Sequence, residues 1–247
     1  MDQIYIPKNR IGLPIGSYVA VKQLDSAQIE PIKPVFYNIK HIEPIKLKII
    51  NEIFQTVEKS DNIIITGSFL ENGFNLNDID ILIVSEKELN ISNLKKSLES
   101  KIGIKMHFIL ISNIELMKGL STDPLYQIML SKCISAKRII YKFKKKIDYR
   151  ILDLHLLKSK SLIDNFDILD GNDKYYLTRN MVSILLYLKL NKITKDHVDN
   201  QIKKLFGVDV NKIRMNILKK EEFLKKYKQI YNKTFNLIME EVKHGPK

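Results

Sequence analysis

With 247 residues, 45% hydrophobic and 28% charged, and with only nine glycines and seven prolines, the chain is excluded from the disordered and fibrous classes. That length suits one sizeable core, or a core plus a smaller lobe. The net charge of +13 points to a polyanionic partner or to a lysine-rich solvated surface, and charge by itself does not choose between them.

The opening MDQIYIPKNR lacks the basic region and apolar stretch of a secretory signal, and no run of about 18 apolar residues occurs. The expectation is a cytoplasmic chain with no membrane segment. The runs IYIP and SYVAVKQL, set off by Gly12, Pro14 and Gly16, predict a β arm or hairpin over residues 1–43. From Ile45 the apolar positions Ile49, Ile50, Ile53, Phe54 and Val57 recur at helical spacing, so a helix is expected up to Lys59. NIIIT (Asn62 to Thr66) and DIDILIV (Asp78 to Val84) read as strands, Ser92 as the cap of a helix through about Lys101, and IKMHFILI (Ile104 to Ile111) as a third strand. Ser112 with Glu115 has capping-box spacing, Asp123-Pro124 opens a short helix, and RIIYKF from Arg138 suggests an edge strand.

After Lys146 the pattern is helical throughout: RILDLHLL, YYLTRNMVSILLYLKL, a segment capped at Thr194 and ended by Gly207, and the long KKEEFLKKYKQIYNKTFNLIMEE. Four or five helices are expected over 147–243. Residues 144–247 hold 23 Lys/Arg against 13 Asp/Glu, so most of the net charge sits there. The division expected is a 1–43 arm, a 44–146 catalytic domain and a 147–247 basic helical domain. Cys133, the only cysteine, can form no intrachain disulfide and reads as a small buried apolar residue.

Chemistry concentrates in Asp61 to Val84. An apolar strand runs into Gly67-Ser68, nine residues intervene, and a second apolar strand carries Asp78-Ile79-Asp80. Residues i and i+2 of a strand share a face, so two carboxylates stand side by side, an arrangement suited to Mg²⁺ with its preference for hard oxygens. Gly67 and Ser68 stand where backbone N–H groups and a hydroxyl can meet an anion, and the missing side chain at Gly67 would let a triphosphate approach closely. A Gly-Ser turn or a solvated Asp-x-Asp is commonplace alone; the conjunction, on a strand otherwise almost wholly apolar, is not.

Strand, Gly-Ser, a gap of about ten residues, then DID followed by ILIV resembles the signature of the DNA polymerase β nucleotidyltransferase superfamily, over roughly residues 45–112. The resemblance implies an α+β fold, a mixed sheet with helices followed here by an all-helical lobe. It also implies Asp78 and Asp80 as catalytic ligands of Mg²⁺ or Mn²⁺, and Gly67 and Ser68 as nucleotide-binding residues. The implied activity is transfer of a nucleoside monophosphate from a nucleoside triphosphate to a hydroxyl, releasing pyrophosphate.

The acceptor stays open. RNA or DNA would suit the basic lobe; a protein hydroxyl, as for minimal nucleotidyltransferases of the antitoxin kind, is the alternative, and a small molecule as for aminoglycoside nucleotidyltransferases comes third. The short length and the lack of Arg-Gly after Gly-Ser speak against CCA-adding or poly(A) enzymes. The sequence departs from the family in one respect, because the strand expected to supply a third carboxylate holds His107, with Lys105 on the same face. A neutral imidazole can hold metal or accept a proton near neutral pH, and equally His107 fits a nucleotide- or nucleic-acid-binding protein of weakened catalysis.

Other residues carry a weaker signal. Glu115 is accounted for by its capping box, and His41, His155, His197 and His244 show no metal-ligand spacing. Tyr175, Tyr176 and Arg179 could stack a base and grip phosphate, or pack a helix core. Lys144, Lys145 and Lys146 read as a basic hinge.

Overall fold

The computed structural model describes residues 32–57, 60–73, 78–140, 142–189 and 193–244. The stretches IYIP and SYVAVKQL lie outside the described residues. Among those described, five strands form one mixed sheet in the order β1-β5-β2-β3-β4, in which only β3 and β4 run parallel.

In chain order, β1 (Val35–Tyr37) precedes α1 (Pro44–Thr56), whose first position is a proline that needs no N–H partner there. Next come β2 (Asn62–Thr66), a 3-10 turn at Ser68–Leu70 and β3 (Asp78–Val84). The crossover helix α2 (Ile91–Ile102) is capped by Asn90, whose side chain accepts from the Asn93 N–H, rather than by Ser92, and ends at Gly103 in the left-handed conformation. It leads to β4 (Lys105–Ile111), then α3 (Asn113–Thr122), which has the full Ser112/Glu115 capping box, and α4 (Pro124–Ser131), capped by Asp123.

The last strand, β5 (Cys133–Ser135), lies between β1 and β2. The edge strand expected at RIIYKF is not formed among its described residues: the Ile139 N–H is taken by the Tyr37 hydroxyl at 2.6 Å instead of a ladder carbonyl. Residues 35–37, placed by sequence in the N-terminal arm, join this sheet through β5. Cys133 is fully buried and burial pushes its thiol up to about 12, as befits an apolar filler.

Period-two alternation explains how the sheet is covered. Ile79, Ile81 and Ile83 of β3 pack with Ile63 and Ile65 of β2 against α1 and α2. On the opposite face Leu82 and Val84 pack with Ile64, Cys133 and the α3 residues Leu116 and Leu120. Each such aliphatic side chain contributes about 1.5–3 kcal/mol when taken fully out of water. Along β3 only Asp78 and Asp80, at its start, are part-exposed, and the other five residues are buried.

The remainder is helical: α5 (Tyr149–Asp164), α6 (Gly171–Leu188), α7 (Lys195–Phe206), α8 (Val210–Arg214) and α9 (Lys220–His244). α7 is capped by Thr194 and closed by Gly207 in the left-handed conformation. A separate core around Tyr175, Tyr187, Phe206 and Tyr227 joins α5, α6, α7 and α9, and Ile128 of α4 belongs to it. Tyr187 donates its hydroxyl to the carbonyl of Ser121 (2.5 Å), and Lys145 stands over the Tyr187 ring at 5.1 Å, so the basic hinge is packed at this position. Among the described residues no helix is long and apolar enough to cross a membrane.

Candidate active site

Strand register builds the floor of the site. Thr66 of β2 stands opposite Asp80 of β3, Asp80 opposite His107 of β4, and Asp78 opposite Lys105. Asp78 and Asp80 therefore share one face with the β4 pair Lys105 and His107. Carboxylates two residues apart on a strand, taken at the Cα separation of roughly 6.6 Å, repel by about 2.5 kcal/mol at an effective dielectric near 20. Both are part-exposed, which lowers that figure, and the attraction of each to a divalent cation would outweigh it.

His107 lies against Asp80, Nδ1 to Oδ1 3.2 Å, on the side away from Thr66. Burial is the largest influence on the Asp80 carboxyl and pushes it above its ordinary value, with Asp78 adding to the rise. The His107 hydrogen bond and the charges of His107 and Arg179 offset part of this. Among the described residues no group of three or more His, Cys, Asp or Glu forms a ready-made metal cage. Two hard carboxylates on one strand face nonetheless fit Mg²⁺, which usually takes one or two protein carboxylates and completes its shell with water and phosphate oxygens.

Gly67 has φ 83 and ψ −161, a region that only glycine occupies readily. A Cβ built there would overlap an Asp80 carboxylate oxygen and come within 3.1 Å of its Cγ. The glycine is thus needed to admit Asp80 beside the turn, where the sequence suggested room for a triphosphate. Ser68 begins the 3-10 turn, held by the Glu71 N–H donating to its carbonyl at 3.0 Å.

The opposite wall comes from α4 and the helical lobe. A cavity of about 320 Å³ is lined by Gly67, Ser68, Asp80 and His107 on one side and by Tyr176 and Arg179 on the other. Tyr175 and Tyr176 have separate surroundings. Tyr175 is fully buried and donates its hydroxyl to Asp199 at 2.8 Å, which makes it core. Tyr176 is 39% exposed, and the Arg179 guanidinium lies 4.8 Å from its ring centroid. Asp78 does not line the cavity directly.

Four further lining residues carried no signal in the motif reading: Glu71, Lys132, Lys195 and Arg214. Lys195 could have been noticed, since a lysine at the first position of a helix opposes the macrodipole. His41, His155 and His197 do not line this cavity. His155 pairs with Asp123 at 3.0 Å inside the structure, His197 has a buried Nε2 without a hydrogen-bond partner among the described residues, and the His244 side chain is not described.

Residues 47–160 match the family model described as a nucleotidyltransferase domain. The match starts within α1, ends within α5 and contains Gly67, Ser68, Asp78, Asp80 and His107, whereas Tyr176, Arg179, Lys195 and Arg214 lie beyond it. No curated protein and no solved structure matches the chain.

Proposed function

We propose that this chain transfers a nucleoside monophosphate from a nucleoside triphosphate to a hydroxyl acceptor, a reading supported by the match of residues 47–160 to the nucleotidyltransferase-domain family model, which is consistent with the polymerase β-like superfamily. The observation that carries the reading is the single cavity in which Gly67, Ser68, Asp80 and His107 face Tyr176 and Arg179. Asp78 and Asp80 would hold Mg²⁺ or Mn²⁺, which when bound supplies charge stabilisation for the attacking and leaving oxygens. Gly67 and Ser68 would contact the phosphates. The Tyr176 ring, with Arg179 on it, would offer a stacking face for the base and a cation for phosphate. His107, beside Asp80, would take the place of the family's third carboxylate, accepting the acceptor's proton or steadying Asp80.

The acceptor we favour is a nucleic-acid end, supported by the excess of Lys and Arg over residues 144–247. A protein hydroxyl is the alternative, and labelled total RNA and total protein, offered side by side, separate the two. The histidine in place of a carboxylate favours one second reading, a nucleotide-binding protein of weakened catalysis.

The deciding experiment measures metal-dependent pyrophosphate release and nucleotide binding with each of the four triphosphates, in wild type and in Asp78→Asn/Asp80→Asn. We expect both signals to vanish in the double variant. Because the Asp80 carboxyl is held above its ordinary value, its ionised form weakens the metal-free fold at neutral pH. The metal-free variant should therefore melt slightly higher, by about 1–3 °C after allowing for solvent screening. Unchanged Mg²⁺-triphosphate affinity in the double variant would remove the site.

A further inference from the structure

Glu71 follows the 3-10 turn that starts at Ser68, and its carboxylate reaches two lysines from separate elements. Lys132, the C-cap of α4, lies 3.1 Å from Oε2; Lys195, the first residue of α7, lies 3.2 Å from Oε1. All three line the same cavity as Gly67 and Ser68. One carboxylate thus bridges two ammonium groups at the place where an oxyanion entering the cavity would be drawn.

The backbone at Glu71 is anchored separately. Lys46, fully buried, donates to the Glu71 carbonyl at 2.5 Å and pairs with Glu43 at 3.2 Å. The Glu71 side chain, 33% exposed, can therefore leave the lysines without disturbing the turn. Cations also outnumber what one carboxylate balances. Arg214 lines the cavity with its guanidinium 4.2 Å from the Tyr175 ring centroid, and its buried Nε has no hydrogen-bond partner among the described residues. Lys195 further stands at the positive end of the α7 dipole, where anions are favoured. Asp199, 3.3 Å from Lys195, is the second carboxylate in contact with the group.

We propose that Lys132 and Lys195 are the seat of the nucleotide's terminal phosphates and that Glu71 occupies this seat as a built-in competitor until the nucleotide displaces it. The class of ligand rests on the nucleotidyltransferase reading; the competition rests on the ion-pair geometry alone. A terminal phosphate carries more charge and more acceptor oxygens than a carboxylate, so exchange favours the nucleotide while weaker anions are kept out.

The test titrates the full chain with inorganic tripolyphosphate in the absence of divalent metal, at low and moderate salt. Glu71→Gln is expected to bind about threefold to fivefold tighter than wild type, the equivalent of one part-exposed ion pair. Adding Lys195→Gln should abolish the gain. A folded Glu71→Gln protein that binds tripolyphosphate no tighter than wild type overturns the proposal. Should that variant not fold, Glu71→Asp, which draws the carboxylate back by one methylene, must show the same direction of change. Acylation of wild-type lysines supplies an independent reading: tripolyphosphate should protect Lys132 and Lys195, and absence of protection at both also overturns the proposal. Failure here leaves the Asp78/Asp80 experiment standing, and failure of that experiment leaves this anion seat to be judged on its own data.

Discussion

Replacing Gly67 with alanine tests the site and its backbone together. At φ 83 and ψ −161 a non-glycine residue costs about 1–3 kcal/mol. The new methyl would also overlap the Asp80 carboxylate. Asp80 must then turn away, giving up its 3.2 Å contact with His107, a part-exposed pair worth under about 1 kcal/mol. The sum is about 3 kcal/mol of lost stability, or roughly 6–12 °C in melting temperature for a chain of this size. Mg²⁺-dependent triphosphate binding should be lost in the protein that remains folded, because Asp80 no longer points where Asp78 does. Thermal melts followed by circular dichroism and a titration with Mg²⁺-ATP supply the two readings. Asp80→Ala removes the carboxylate but keeps the Cβ, 3.3 Å from the built position, so in that background Gly67→Ala should cost about 1 kcal/mol less than alone. A Gly67→Ala protein with wild-type melting temperature and wild-type nucleotide affinity would refute the account of both the turn and the cavity.

Other outcomes are expected at His107 and Glu71. The His107 side chain is 62% exposed, so His107→Ala should change stability by less than about 0.5 kcal/mol. It should nevertheless remove most nucleotidyl transfer, and His107→Asp should restore part of it; full activity in the alanine variant would end the substitute role. At Glu71, burial pushes the carboxyl up, but Lys195 and Lys132 more than offset this and hold it below its ordinary value of 4.5. A depressed carboxyl contributes stability that is present above pH 4.5 and lost as pH falls through the folded value. The melting temperatures of wild type and Glu71→Gln should therefore converge in that acid range. A gap that stays constant on acidification would show that the Glu71 ion pairs do not stabilise the fold.

The part of the site carried by adjacent residues was legible from sequence, because its geometry is local. Alternation along β3 dictates that Asp78 and Asp80 share a face whatever surrounds them, and the strands Asn62 to Thr66 and Asp78 to Val84 follow from unbroken apolar runs bounded by turns. Caps at Ser112, Asp123 and Thr194 were equally plain, since a cap acts within one helical turn. The strand at Cys133–Ser135 was not legible: three residues are too few to show a period, and RIIYKF has the better composition. Its Ile139 N–H is claimed by Tyr37, about a hundred residues away in sequence, which no local pattern reveals.

Tertiary structure alone decided what faces the aspartates. The sequence left Tyr176 and Arg179 divided between core and site; helix packing buries Tyr175 and turns Tyr176 to the cavity. The meeting of Glu71, Lys132 and Lys195 joins a turn, the end of one helix and the start of another, and ion pairs between such distant positions leave no periodic trace. Even at Gly67 the residue was plain but its reason was not. A glycine before a serine suggests room for a ligand, whereas the space is filled by the Asp80 carboxylate brought alongside by antiparallel pairing of β2 and β3. Local periodicity determines which groups a strand presents, and packing determines what they meet.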